Sequence, residues 1–177
     1  MAVDRWIDGK SPLGGEKTGP NPTDRGKLGT KRSVMTEARG IPVGAVTAAA
    51  NRNDCTLCRA TIESVALDRP APTSEQPQGV CLDKAYDSAD IRATLHEFAF
   101  TAHIRRRGEE IRELRREDGE RPRRWVVERI HSWINRYRGL LIRWSKKAEN
   151  HDALLAFCLS LITWQQAGVM KGMRAAL

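Results

Sequence analysis

At 177 residues with 40% hydrophobic side chains, the chain fits one domain with a real core. A formal charge of +8, from 30 Lys and Arg against 22 Asp and Glu, points to an anionic partner, with nucleic acid the first candidate. Four irregularly spaced cysteines exclude a disulfide framework, no signal-peptide pattern precedes them, and the longest apolar run, residues 153–164, is too short to span a bilayer. The expected setting is reducing cytoplasm, with no membrane partner.

In chain order, residues 3–7 offer a short first strand. The first thirty residues are otherwise rich in Gly, Pro, Lys and Asp, as in Gly14-Gly15, Gly19-Pro20-Asn21-Pro22 and Asp24-Arg25-Gly26-Lys27. This composition predicts an extended loop outside the core. Its glycines lack the strand-then-helix frame and the Gly-Lys-Ser/Thr end of a phosphate loop. Residues 32–37 and 41–50 read as two strands joined by a hairpin turn at Ala38-Arg39-Gly40. The segment Asn51-Arg52-Asn53-Asp54 supplies an N-cap for a helix over 55–66. Within that helix Cys55 and Cys58 have a metal-like or redox-like spacing, but no second Cys/His pair stands at a zinc-finger distance, so both read as partly buried helix residues.

Residues 67–78, with three prolines, form a surface connection. Next comes an apolar strand ending at Asp83, a helix over 88–98, and a strand over 100–104. A charged loop over 105–123 is bracketed by Arg105-Arg106-Arg107 and Arg121-Pro122-Arg123-Arg124, so the basic excess is concentrated rather than spread. Two long helices close the chain, the second built on the apolar run and read as a core helix. Paired strands followed by strand-helix alternation predict an α/β fold, a mixed sheet flanked by helices.

The first of the closing helices is the most informative element. Val126, Val127, Ile130, Trp133, Ile134, Tyr137, Leu140, Leu141 and Trp144 recur at helical spacing and mark a core face. Arg124 and Glu128 stand four apart on another face, which His131, Ser132 and Asn135 continue. Most such Arg/Glu pairs are solvated and worth only a few tenths of a kcal/mol. The strand-end acid Asp83 raises the alternative. An acid at a strand end and an acid on a helix can converge on a divalent cation, since Mg²⁺ takes one or two carboxylates plus substrate phosphate. Core packing is the first reading of Trp125 and Trp133.

Several strings carry a resemblance along nearly the whole chain: residues 14–32, Ala50-Asn51-Arg52-Asn53-Asp54, Leu82-Asp83-Lys84-Ala85-Tyr86-Asp87, residues 103–110, and residues 124–133. In that order they resemble the DDE transposases of bacterial insertion sequences, insertion-sequence family five. The resemblance implies a ribonuclease-H-like fold, with acids on the first strand, at the end of a later strand and on a helix after the sheet. It implies Asp83 as the second acid, Glu128 as the third, and Arg124 as the arginine four residues before the glutamate. Asp4 is the preferred first acid and Asp8 the alternative. The family follows its first aspartate with Gly and a small residue, where this chain has Arg5 and Trp6, and it has Gly where this chain has Ala85.

The activity implied is metal-dependent DNA strand cleavage and strand transfer, with Mg²⁺ or Mn²⁺ held by Asp4, Asp83 and Glu128. Arg124, Arg129 and Arg136, with Arg25 and Lys27 of the glycine-rich loop, are the expected DNA contacts, and the partners expected are transposon-end and target DNA. The family has an N-terminal region for end recognition, and its transposase can be divided between two overlapping frames. The chain therefore resembles a single catalytic domain of a second-frame product, working as a homodimer or in fusion with the upstream product, in a cytoplasmic, nucleoid-associated setting. A binding remnant without catalysis and a nuclease without strand transfer are the alternatives.

Overall fold

The structure is a computed structural model, and it describes residues 2–3, 9–104 and 124–168. Among these residues seven strands form one mixed sheet: β1 (Ala2–Val3), β2 (Gly9–Lys10), β3 (Gly19–Pro20), β4 (Leu28–Thr36), β5 (Pro42–Ala49), β6 (Gly79–Leu82) and β7 (Thr101–Ile104). The hub is β4, antiparallel to β1, β2, β3 and β5. Beyond β1 the sheet turns parallel, with Ala2 opposite Cys81 and then Gly79 to Leu82 opposite Thr101 to Ile104.

Helices cover both faces, and the strict alternation of β4 shows why. Met35 points to one face and packs with Cys58 and Ile62 of α1 (Cys58–Glu63) and with Ile91 and Leu95 of α2 (Ala89–Glu97). Val34 points to the other and packs with Ile130 and Ile134 of α3 (Arg124–Ile134), Leu140 of α4 (Arg138–Leu141), and Leu155, Cys158 and Ile162 of α5 (Ala148–Gln166).

The same alternation sorts buried polar groups. Lys31 and Ser33 lie with Met35, where Lys31 Nζ donates to Asp54 at 2.7 Å and Thr61 Oγ1 bonds Ser33 Oγ at 2.7 Å. Thr30 and Arg32 lie with Val34: Arg143 Nη1 donates to Thr30 Oγ1 at 3.0 Å, and Arg32 Nη1 donates to the Leu140 carbonyl at 3.3 Å. Charges this deep persist only because hydrogen bonds replace water.

The hairpin, the mixed sheet and the cap ahead of α1 agree with the sequence reading. Asn53 caps the turn leading into α1, accepting from Cys55 N at 3.0 Å, and Ser88 caps α2, accepting from Ile91 N at 3.3 Å. Cys55 is half-buried and Cys58 buried, also as read. Three expectations change. The glycine-rich segment is not an excluded loop: Gly19-Pro20 and Leu28-Gly29 enter the sheet, and Ser11, Asn21 and Gly29 are buried. The helix read through Trp144 stops at Ile134, because the chain must swing back to bridge the sheet, with Ile142 opposite Lys10 and Arg143 N bonded to the Lys10 carbonyl at 2.7 Å. The closing helix is a core helix on one side only, since Leu154, Phe157 and Trp164 are exposed. The first-strand reading beyond Val3 and the charged loop over 105–123 lie outside the described residues.

Candidate active site

Parallel pairing brings two strand ends to one edge of the sheet. β1 and β6 run in the same direction, and Asp83 follows β6 at the end where β1 also stops. The Asp83 carboxylate is half-buried and caps the short 3₁₀ turn over Lys84–Tyr86, accepting from Lys84 N at 2.7 Å. That bond fixes the carboxyl group at the mouth of the strand and leaves lone pairs for another ligand. Asp4, next in the chain after Val3, and the alternative Asp8 lie outside the described residues.

Glu128 is exposed on α3, and the packing of its helix sets its height above the sheet. Two residues before it, the Val126 carbonyl lies 3.2 Å from where a Cβ on Gly40 would stand. Two residues after it, Ile130 is fully buried against Val34. The flanking contacts thus hold Glu128 over the stretch of β4 between Val34 and the hairpin turn, and Val3 pairs with Met35 within that stretch. The helix touches β1 and β4 alike. A register shift in the β4–β5 pairing falls between Met35 and Thr36, beside the same spot.

An open depression runs along the polar face of α3, lined by Glu128, His131, Ser132, Asn135 and Arg136. This is the stripe read from the sequence, with one adjustment: His131 is buried, so it forms the floor while Glu128, Ser132 and Arg136 form the rim. Asn135 Oδ1 is buried in the same depression and accepts no hydrogen bond from the described residues. Arg136 is exposed. Arg129, also exposed, donates to the Arg39 carbonyl of the hairpin turn at 3.4 Å and stacks its guanidinium on Trp133, 5.7 Å from the ring centre. Trp133 is half-buried against the second core cluster, as core packing requires. The side chains of Arg124 and Trp125 lie outside the described set.

Arg25 and Lys27 are not beside the acids. Their loop precedes Leu28, seven residues along β4 from Met35, roughly 23 Å at strand rise. Arg25 is exposed, and Lys27 Nζ stands 4.0 Å from Asp24.

Sequence reasoning saw Gly40 only as a turn residue. Its φ of +89° and the closeness of Val126 make it the seat of the Glu128 helix. Nothing in the sequence pattern marked Arg32 and Arg143, both fully buried, as interior struts. Among the described residues no three His, Cys, Asp or Glu side chains converge as a metal-binding group, and no helix is long and apolar enough to cross a membrane. The donors that are present, two accessible carboxylates at a strand end and on a helix, are the hard oxygen ligands a divalent cation takes.

Comparison with known proteins adds a separate line. A family model described as a transposase DDE domain matches residues 4–162. A Burkholderia cepacia protein that carries the name of a transposase for insertion sequence element IS402 is 35% identical over 162 residues, covering 90% of this chain and 74% of that protein. No solved structure matches the chain.

Proposed function

The chain belongs to the DDE transposase family of insertion sequences, and on that premise we propose that Asp4, Asp83 and Glu128 are its three catalytic carboxylates. It is a DNA phosphoryl-transfer enzyme. The observation that carries the residue assignment is the parallel pairing of β1 with β6, with Ala2 opposite Cys81. Two residues on from that pair stand Asp4 in one strand's sequence and Asp83 in the other's, and Glu128 sits on the helix packed over β1. The same arrangement supports a ribonuclease-H-like fold and a single catalytic domain over 1–177.

The family's chemistry depends on a divalent metal, and we assign Mg²⁺ or Mn²⁺ to the three carboxylates. Bound there, a divalent ion supplies an activated oxygen nucleophile and charge stabilisation at the leaving oxygen. The chain's own part is to aim its carboxylates and to hold DNA. In cleavage, a water oxygen bonds to phosphorus, the P–O3′ bond breaks in line, and the strand is left with a 3′-hydroxyl and a 5′-phosphate. In strand transfer that 3′-hydroxyl attacks a target phosphodiester, one P–O bond replacing another. Both need the same carboxylates, and no covalent enzyme intermediate is required.

Arg136, on the rim beside Glu128, takes a DNA phosphate, and Arg124 and Arg129 extend that contact along α3. Arg25 and Lys27 engage DNA further from the cut, consistent with their distance along β4. DNA at transposon ends and targets is the partner, and the protein works in the cytoplasm at the nucleoid.

The test is metal-dependent cleavage and joining of the parent element's end DNA by this chain. Asp83→Asn and Glu128→Gln remove a ligand charge without removing a phosphate contact, so both abolish cutting and keep DNA affinity. Undiminished cutting by either variant refutes the assignment. Cutting without joining would make the protein a nuclease.

A further inference from the structure

The pair Cys55 and Cys58 has no part in the chemistry assigned above, yet the structure packs it against the turn that follows Asp83. Cys55 lies in a 3₁₀ turn, Asp54–Leu57, and Cys58 closes that turn and opens α1, its N–H donating to the Cys55 carbonyl. In 3₁₀ geometry residues three apart eclipse one another and stand about 6 Å apart along the axis. A disulfide spans a Cα separation of about 4.4–6.8 Å. Both thiols are free, Cys55 half-buried and Cys58 buried. Cys55 Sγ donates to the Ala85 carbonyl at 3.1 Å. Ala85 is the middle residue of the Lys84–Tyr86 turn, whose first N–H holds the Asp83 carboxylate. Its neighbour Tyr86 is buried in the same core cluster as Cys58. One thiol of the pair therefore braces the turn that aims Asp83.

We propose that Cys55 and Cys58 form a reversible thiol–disulfide site and that reduced Cys55 is a positioning residue for Asp83, the second half resting on the assignment of Asp83 as a metal ligand. Burial first, then Asp54, raises the Cys55 pKa, so the thiol keeps its proton and its donor role at neutral pH. Burial raises the Cys58 pKa to about 11. Thiols this weakly ionised exchange slowly, so the pair answers prolonged oxidation rather than brief exposure. The co-reactant is a small-molecule disulfide, RSSR. The more accessible Cys55 thiolate attacks one of its sulfurs and releases the first thiol, and the Cys58 thiolate then attacks Cys55 Sγ and releases the second. The protein S–S bond forms, RSSR is reduced by two electrons, and the two thiol protons end on two RSH. A disulfide sulfur has no hydrogen to donate. At 3.1 Å it sets lone pairs against the Ala85 carbonyl, so the sulfur withdraws toward Cys58 or the turn shifts, and Asp83 loses its brace either way. Hydrogen bonds that support a metal ligand are worth about 10–100-fold in metal affinity. This one acts through the turn, which places it at the low end.

The test compares the reduced full chain with the chain oxidised by glutathione disulfide, by peptide mapping and by Mn²⁺ affinity. The expected product links Cys55 to Cys58 and binds Mn²⁺ about 10-fold more weakly, and dithiothreitol restores the affinity. Cys58→Ser should instead carry a glutathione adduct on Cys55. Without oxidant, Cys55→Ala should bind Mn²⁺ more weakly. Cys55→Ser, which keeps a hydroxyl donor, should recover most of that affinity and should no longer respond to glutathione disulfide. Failure of the Cys55–Cys58 bond to form overturns the proposal, as does a disulfide that leaves Mn²⁺ affinity unchanged while Asp83→Asn lowers it. Equal affinity in Asp83→Asn and wild type refutes the metal assignment and with it the positioning role, while the peptide map alone decides the thiol–disulfide site.

Discussion

Replacing Gly40 with alanine separates a local backbone penalty from movement of the catalytic helix. Gly40 has φ of +89°, a region where a side chain costs about 1–2 kcal/mol. An added Cβ would also meet the Val126 carbonyl at 3.2 Å, Val126 Cγ1 at 3.5 Å and Arg129 Cδ at 3.6 Å. The carbonyl belongs to the helix, so relief must come from a shift of α3 by a few tenths of an ångström. Glu128 stands two residues further on. A catalytic group displaced by about 1 Å can cost about 10²-fold in rate, so a shift of this size predicts a several-fold loss of cutting. Gly26 is the matched control: its φ is +72°, and a Cβ there meets nothing within 4 Å. Both variants should lower the melting temperature by about 2–8 °C, taking about 2–4 °C per kcal/mol for a domain of this size. Only Gly40→Ala should slow end cleavage at saturating metal and saturating DNA, where a change in DNA affinity at the Arg25–Lys27 loop no longer counts. Equal cutting rates in Gly40→Ala and Gly26→Ala would refute the claim that the hairpin turn seats the catalytic helix.

Other expectations follow from the same geometry. Arg136→Ala should reduce the slope of log affinity against log salt by about 1 if that exposed arginine neutralises one phosphate, and an unaltered slope places it off the DNA. His151 is buried, within electrostatic reach of Arg32 and Arg143. Burial first, then these two cations, lower its pKa to about 4 against the opposing pull of Asp152. The folded chain thus binds that proton more weakly than the unfolded chain does. The contribution is fully present above about pH 6.5 and is lost as pH falls toward 4, about 3 kcal/mol at most. Melting temperature against pH from 4 to 7 should flatten in His151→Gln, and a parallel curve would contradict the buried neutral imidazole.

Local signals carried most of the architecture into the sequence. The Ala38-Arg39-Gly40 turn, the cap at Asn53, and the apolar strand ending at Asp83 each depend on neighbours in the chain, and each reads correctly. The glycine-rich segment was illegible because its order comes from partners far away: Glu16 N bonds the Lys146 carbonyl at 3.0 Å, and Lys17 Nζ pairs with Asp152 at 2.8 Å. The break after Ile134 has the same origin, a bridge to Lys10 more than 130 residues upstream. For the site, helical spacing grouped Glu128, His131, Ser132 and Asn135 correctly, but it could not say that His131 would be the floor. Nor could it align β1 with β6, a register set by the whole sheet.

Mn²⁺ binding to the metal-free protein, followed by electron paramagnetic resonance, tests the central claim most directly because it needs neither DNA nor turnover. The account predicts binding that weakens sharply in Asp4→Asn, Asp83→Asn and Glu128→Gln and is unchanged in Asp8→Asn. Equal Mn²⁺ affinity in wild type, Asp83→Asn and Glu128→Gln would show that the strand-end and helix carboxylates do not share a metal, and would contradict it.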